Sequence, residues 1–246
     1  MRAFSAVFNN LMQATAIFAP ATAYSIACFV WLKDSKIVSQ DIGTVTRSLS
    51  VNIPISSMNF TLFFIFIIGA LIYMASVVTW HRFIIMDGKA SVSPLIFTAP
   101  YFGNYVLSAL KIILLFGVFS VTLMFFIIPM TMTLSQTPGV IWTLFYFIMS
   151  SLWNAVYLIM CLILPAAAVG RSVRVLETFE LTDFRTVLGV SIIINIAAYF
   201  AETAIDWLPF NMLLSALFNA FFVVFQISVL TTLYQHYVEK DFDPKT

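Results

Sequence analysis

Two histidines, one lysine and a pair of carboxylates are the residues of this chain whose types and positions could do chemistry. His81 and His236 are its only histidines. Two imidazoles from different helices at one depth could ligate a haem iron, or each could hold a chlorophyll magnesium. The flanking residues, Trp80-His81-Arg82 and Gln235-His236-Tyr237, read instead as anchors at a membrane boundary. Lys111 falls inside an apolar run, and a charge at a bilayer centre costs at least about 2.5–3.5 kcal/mol. Its distance from the near end of its span is roughly 10 Å at 1.5 Å per residue. A lysine stem can snorkel most of that way, so its ammonium is expected in the headgroup layer. Glu202 and Asp206 stand four apart and share a helical face, which could bind a cation or relay protons. A lone acidic pair without His or Cys is a weak metal signal, and the pair reads as a polar helix end. Cys28 and Cys161 sit in apolar runs as small buried hydrophobes. No phosphate loop, nucleophile elbow or paired-cysteine motif is present in the sequence. No catalytic, cofactor or metal site is therefore assigned, and the chain is read as non-enzymatic.

These residues are carried by a chain that lipid must solvate. Of its 246 residues, 61% are hydrophobic and only 9% charged. A soluble domain carries about 25% charged residues, so too few polar groups exist to cover a water-facing globule. Long apolar runs without the alternation of barrel strands point to helices, which satisfy their own backbone in hydrocarbon. A net charge of +1 and the lack of a basic stripe exclude a nucleic-acid partner.

The fold class expected is an all-α integral membrane bundle of six transmembrane helices, one domain over residues 1–246. Its spans are placed at about 14–32, 60–85, 105–128, 140–164, 187–205 and 212–234. Phe4, Val7, Phe8, Leu11 and Met12 recur at helical spacing and predict an interfacial helix leading into the first span. Asn9, Asn10 and Gln13 interrupt what would otherwise pass for the apolar stretch of a signal peptide. Residues 34–58 form the longest loop and are rich in Ser and Thr. Pro129 is expected to close the third span. Pro165 and the small residues after it are expected to close the fourth. Between spans four and five, Ser172 to Asp183 predicts a second surface helix, with Val173, Leu176 and Phe179 toward lipid or the bundle.

Orientation follows from Lys and Arg. With the N-terminus inside, the cytoplasmic segments hold eight basic residues and the opposite side three. Both termini are expected in the cytoplasm. Within the spans, Asn154, Asn195, Asn219 and Gln226 predict hydrogen bonds between helices. Ser151 with Ala155, Ala197 with Ala201 and Ala216 with Ala220 are small-residue pairs at helical spacing that would allow close helix packing.

Two stretches resemble features of uncharacterised six-helix inner-membrane proteins of bacteria. They are Trp80-His81-Arg82-Phe83, and Leu164-Pro165-Ala166-Ala167-Ala168-Val169-Gly170-Arg171 with Glu177-Thr178-Phe179-Glu180-Leu181-Thr182 behind it. Such proteins are loosely similar to the membrane domain attached to some glycerophosphodiester phosphodiesterases. The resemblance implies a six-helix fold and a bacterial inner-membrane location, and no catalytic residues. In that family a basic surface helix follows the fourth span, whereas Glu180 and Asp183 make this one more acidic.

Three functions are compatible with these readings. The first is an accessory or scaffold subunit that docks on a protein partner within a membrane complex through an aromatic face. Phe63, Phe64, Phe66, Phe116, Phe119, Phe221, Phe222 and Phe225 supply such faces. The second is a transporter or lipid-handling permease, which Pro20 and the in-span amides allow. The third is a haem- or chlorophyll-binding subunit resting on the two histidines. Membrane lipids are partners in every case.

Overall fold

The computed structural model describes residues 7–34, 60–86, 99–134, 139–206 and 211–239. The long polar loop, the segment before the third helix and both chain ends lie outside the described residues. So does most of the turn before the last helix.

Every element among the described residues is helical. A helical stretch at residues 7–9 and a turn at Asn10 lead into α1 (Leu11–Asp34), followed by α2 (Phe60–Ile85), α3 (Ala99–Leu134) and α4 (Gly139–Cys161). Two short helices come next, α5 (Ile163–Ala168) and α6 (Val175–Leu181). Then follow α7 (Phe184–Asp206) and α8 (Asn211–Tyr234), the last extended by one π-helical turn, Gln235–Glu239. Six stretches are long and apolar enough to cross a membrane: Leu11–Cys28, Phe63–Ile85, Tyr101–Phe125, Gly139–Ala168, Phe184–Ile205 and Phe218–Glu239. The chain has the architecture of a multi-pass membrane protein.

Three expected boundaries are corrected. Pro129 does not close the third helix, which continues to Leu134. Proline removes one helical hydrogen bond, but neighbouring groups and local adjustments make it tolerable in apolar helices. Pro165 does not lead into a loop either. The chain turns at Leu162, whose N–H bonds the Ile159 carbonyl, and resumes as α5. Pro165 lies in the first turn of α5, where an N–H would have no helical acceptor anyway. The helix expected over Ser172 to Asp183 is shorter, with no regular structure at 171–174 before it and a break at Thr182 and Asp183. Its packed face is Thr178 with half-buried Val175 and Leu181, while Leu176 and Phe179 are exposed. Glu177 caps its first turn, its carboxylate accepting the backbone N–H of Arg174 at 3.2 Å.

α5 is the hub of the bundle. It packs against α2, α3, α4 and α8. Ile163, Pro165 and Ala166 to Ala168 are all buried, and small side chains let four helices approach one short segment. The hub ends in a Schellman motif. The N–H of Arg171 bonds the Ala166 carbonyl at 2.9 Å, and that of Gly170 bonds the Ala167 carbonyl at 3.1 Å. Gly170 has φ +79°, and a Cβ there would lie 2.6 Å from the Tyr101 ring. Arg82 covers that ring, its guanidinium 4.3 Å from the centroid.

Burial is concentrated at this end. Seven consecutive residues of α2, Ala75 to His81, are buried because α1, α3, α5 and α8 surround them. At the opposite end Phe60, Phe63, Phe64, Met124, Phe125, Val140, Tyr199 and Phe200 are exposed.

Candidate functional site

α2 and α8 are joined by two parallel relays. The Trp80 Nε1–H donates to Ser228 Oγ at 2.8 Å, and that hydroxyl donates to the Val224 carbonyl at 2.8 Å. One turn on, His81 Nδ1 lies 2.7 Å from Thr231 Oγ1, and the Thr231 hydroxyl donates to the Ile227 carbonyl at 2.8 Å. The Nδ1–Thr231 hydrogen bond forms with either ring tautomer, Nδ1 donating or accepting. The other ring nitrogen is Nε2. It is buried and has no hydrogen-bond partner among the described residues. Trp80 and His81 are both fully buried, so neither is the interfacial anchor expected from the sequence. Composition marks a helix end, but only the packing of four neighbours decides whether that end faces lipid or protein.

His81 lines an interior cavity of about 480 Å³ between α2, α3, α4, α7 and α8. Tyr73, Tyr105, Asn154, Tyr157, Cys161 and Gln226 supply its other polar atoms, and the remaining wall is apolar. No Asp, Glu, Lys or Arg is among its lining residues. His236 is not part of this cavity. It is exposed and packs edge-on against Tyr237, the ring centroids 4.7 Å apart. The structure therefore does not bring the two histidines into one pocket.

A second concavity lies on the flank of the bundle. It is a groove of about 1000 Å³ between α3 and the 170–179 segment. Lys111, Arg171 and Arg174 line it, together with Asn104, Ser108 and Ser172. Asn104, Ser108, Lys111 and Leu115 recur at three- and four-residue steps and so form one stripe of α3. Leu107, Leu115, Phe119, Leu176 and Phe179 give the groove apolar walls. Arg171 is also held from behind, 3.6 Å from the Glu239 carboxylate and 3.4 Å from the Tyr234 hydroxyl. The π-helical turn carries Glu239 beyond the end of α8.

α4 and α7 are clasped by a third polar set. Ser191 Oγ donates to the Ser151 carbonyl at 2.8 Å, and Asn195 Nδ2 to Ser151 Oγ at 3.1 Å. Asn154 Nδ2 donates to Asn195 Oδ1 at 3.1 Å. Ser151 and Ala155 are buried at this contact. Ala197 and Ala220 are exposed and Ala201 is half-buried, while the Ala216 side chain lies outside the described residues. Glu202 is exposed near the far end of α7, and the Asp206 side chain lies outside the described residues. Among the described residues no group of three or more His, Cys, Asp or Glu is placed to hold a metal ion.

Sequence reasoning singled out Lys111 and His81 but missed their partners. Arg171 and Arg174 were visible as charges, yet nothing local to the sequence says that the chain folds them back beside α3. Thr231 and Ser228 carried no signal beyond being small polar residues in a span.

The fold and these two concavities define a polytopic helical membrane protein with an uncharged interior cavity and a basic lateral groove. No family model, curated protein or solved structure matches the chain.

Proposed function

We propose that this chain is a lipid-handling membrane protein that takes the headgroup of an anionic amphiphile into the lateral groove. The observation that carries this reading is the grouping of Lys111, Arg171 and Arg174 at a groove with apolar walls. Phosphate needs cations and hydrogen-bond donors, which Asn104, Ser108 and Ser172 add. Acyl chains need an apolar track opening toward lipid, and Leu107, Leu115 and Leu176 are exposed along it. Lys111, Arg171 and Arg174 are all exposed at the groove, and Glu239 already holds Arg171, so Lys111 and Arg174 carry most of the proposed headgroup contact. Lys111 then does more than snorkel. The wider setting belongs to the same proposal: a bacterial inner membrane, both termini cytoplasmic, the groove near the cytoplasmic leaflet, and kinship with the six-helix family named above.

The test is lipid retention after reconstitution into nanodiscs of mixed phosphatidylglycerol and phosphatidylcholine. Native mass spectrometry is expected to show phosphatidylglycerol held preferentially. Lys111→Met with Arg174→Met is expected to weaken that preference about tenfold or more, as loss of charge-assisted hydrogen bonds predicts. Equal retention by wild type and variant overturns the reading.

One observation favours the accessory-subunit alternative. Phe60, Phe63 and Phe64 form an exposed cluster at the start of α2, with centroids 5.1 to 6.5 Å apart and Phe64 edge-on to the other two. The other aromatic faces are partly used inside the bundle. Phe116 packs on Trp153 and Tyr157, and Phe222 and Phe225 pack against the core. A protein partner co-purifying with wild type and lost on Phe63→Ala with Phe64→Ala would support this second reading.

A further inference from the structure

The interior cavity is separate from the basic groove, and its occupant is argued without reference to the groove's function. No carboxylate and no cation is among its lining residues, so a charged ligand would be buried without a counter-charge. Its volume of about 480 Å³ lies in the range of small-molecule sites. Tyr73, Ile113 and Tyr157 line it within spanning stretches and are exposed, so it opens sideways between helices. A ligand entering there comes from the bilayer and must be apolar enough to dissolve in it.

Two groups of the wall have protons to give. Tyr105 is 3% exposed, and its hydroxyl makes no hydrogen bond among the described residues. Of the side-chain polar atoms of those residues, only His81 Nε2 is both unbonded and closed to a molecule the size of water, so the Tyr105 hydroxyl is open. It opens on the cavity. Tyr105, Ala109, Ile112 and Phe116 form one stripe of α3 along the cavity wall. The Tyr105 hydroxyl is also near enough to Tyr73, Tyr157 and Cys161, which line the same space, to interact with them electrostatically. Gln226, half-buried on α8, lines the cavity too, and its carboxamide is likewise open and unbonded among the described residues. Donors in an apolar chamber are costly to leave unmet. A carbonyl oxygen has two lone pairs to offer them, and it brings no proton that would itself need a buried acceptor.

We propose that this cavity binds a neutral, membrane-soluble molecule through a carbonyl oxygen that accepts from the Tyr105 hydroxyl, with the Gln226 amide as second donor. That carbonyl belongs to a quinone ring or to an aliphatic chain, and the test separates the two. Purified protein in nanodiscs is dialysed against 2,3-dimethyl-1,4-naphthoquinone and 2,3-dimethylnaphthalene, and against 2-undecanone, 2-undecanol and undecane. The ring methyls block addition of a cysteine thiol to the quinone. Empty nanodiscs correct for partitioning into lipid. The expected result is a preference of about tenfold for the carbonyl compound over its hydrocarbon in at least one series, the scale of one buried hydrogen bond. The series showing it identifies ring or chain. Tyr105→Phe, which removes one oxygen and keeps the ring, is expected to lower that preference and leave binding of the hydrocarbon unchanged. Adding Gln226→Met is expected to abolish what remains. In infrared spectra the carbonyl stretch of the preferred probe is expected at lower frequency in wild type than in Tyr105→Phe. No preference in either series would leave water as the donors' partner and overturns the proposal. So does a preference unchanged in Tyr105→Phe or surviving in the double variant, an unmoved carbonyl stretch, or 2-undecanol held more tightly than 2-undecanone.

Discussion

The two ends of this bundle are built from the same apolar alphabet and used differently. At the end where α2 meets α5, side chains are enclosed on every side, and Trp80, His81, Leu162 and Tyr234 are buried. At the other end, where α2 begins and α3 finishes, Phe60, Phe125 and Val140 are more than 70% exposed. Lipid tails are as apolar as these side chains, so apolarity alone cannot pull helices together. What differs is the hub. Small residues, a positive-φ glycine and paired hydroxyls exist at one end and hold the helices close. The His81 cavity and the basic groove lie near that end.

This contrast can be broken most directly at Gly170. Gly170→Ala should destabilise the protein by about 2–4 kcal/mol, through a strained left-handed backbone and overlap with the Tyr101 ring. Gly139→Ala, at the opposite end with no atom of the described residues within 4 Å of the new methyl, should change stability by less than about 1 kcal/mol. Denaturant titration in mixed micelles compares the two, and equal effects would mean that the hub is not what organises the bundle.

A smaller effect is expected between the ends, at the α4–α7 clasp. Asn195→Leu removes the donor to Ser151 and the acceptor for Asn154, and should cost about 1 kcal/mol, the usual scale of such bonds in membranes. Asn219→Leu should be near neutral by the same titration, since Asn219 is exposed and among the described residues bonds only Ser215 of its own helix, at 3.4 Å.

The smallest effect is a pH dependence. Asp183 precedes α7, where Thr186 Oγ1 donates to its carboxylate at 2.6 Å and the Arg185 backbone N–H at 3.2 Å. These bonds, the Thr186 hydroxyl first, hold its pKa below the ordinary 3.8. The unfolded chain therefore takes up its proton first as pH falls. The stabilisation is present above the ordinary carboxylate range and lost as pH drops through the depressed folded value. Asp183→Asn should flatten the acid limb of stability against pH, and an unchanged limb would remove Asp183 from the account.

The helices were legible because an unbroken apolar run of the right length has few other solutions in lipid. Their number and approximate places follow from composition and from punctuation by charge. The site was legible only in fragments. Lys111 stood out because its charge is out of place in a span. His81 stood out by type, but Trp80-His81-Arg82 looks the same in sequence whether it meets headgroups or a neighbouring helix. Ala166 to Ala168 behind a proline looks like an exit from the membrane. It is the centre of the fold, because contacts from α2, α3 and α8 decide its burial and none of them is local. The aromatic residues divide in the same way. Phe63 and Phe116 are equal in the sequence, and only Phe116 finds Trp153 across a helix interface.

The position of α5 also sets an order of assembly. Of the helices it touches, α2, α3 and α4 are synthesised before it, and α8 only after more than forty further residues. Until the last helix arrives, the hub has an open side, and the Trp80 indole and His81 imidazole lack their hydroxyl partners. Alanines suit such a delayed partner, since they have no rotamers to order when it docks. A chain interrupted before α8 displays unmet polar groups within hydrocarbon. Arrival of α8 and closure of the cavity between α2, α3, α4 and α7 thus become the same event.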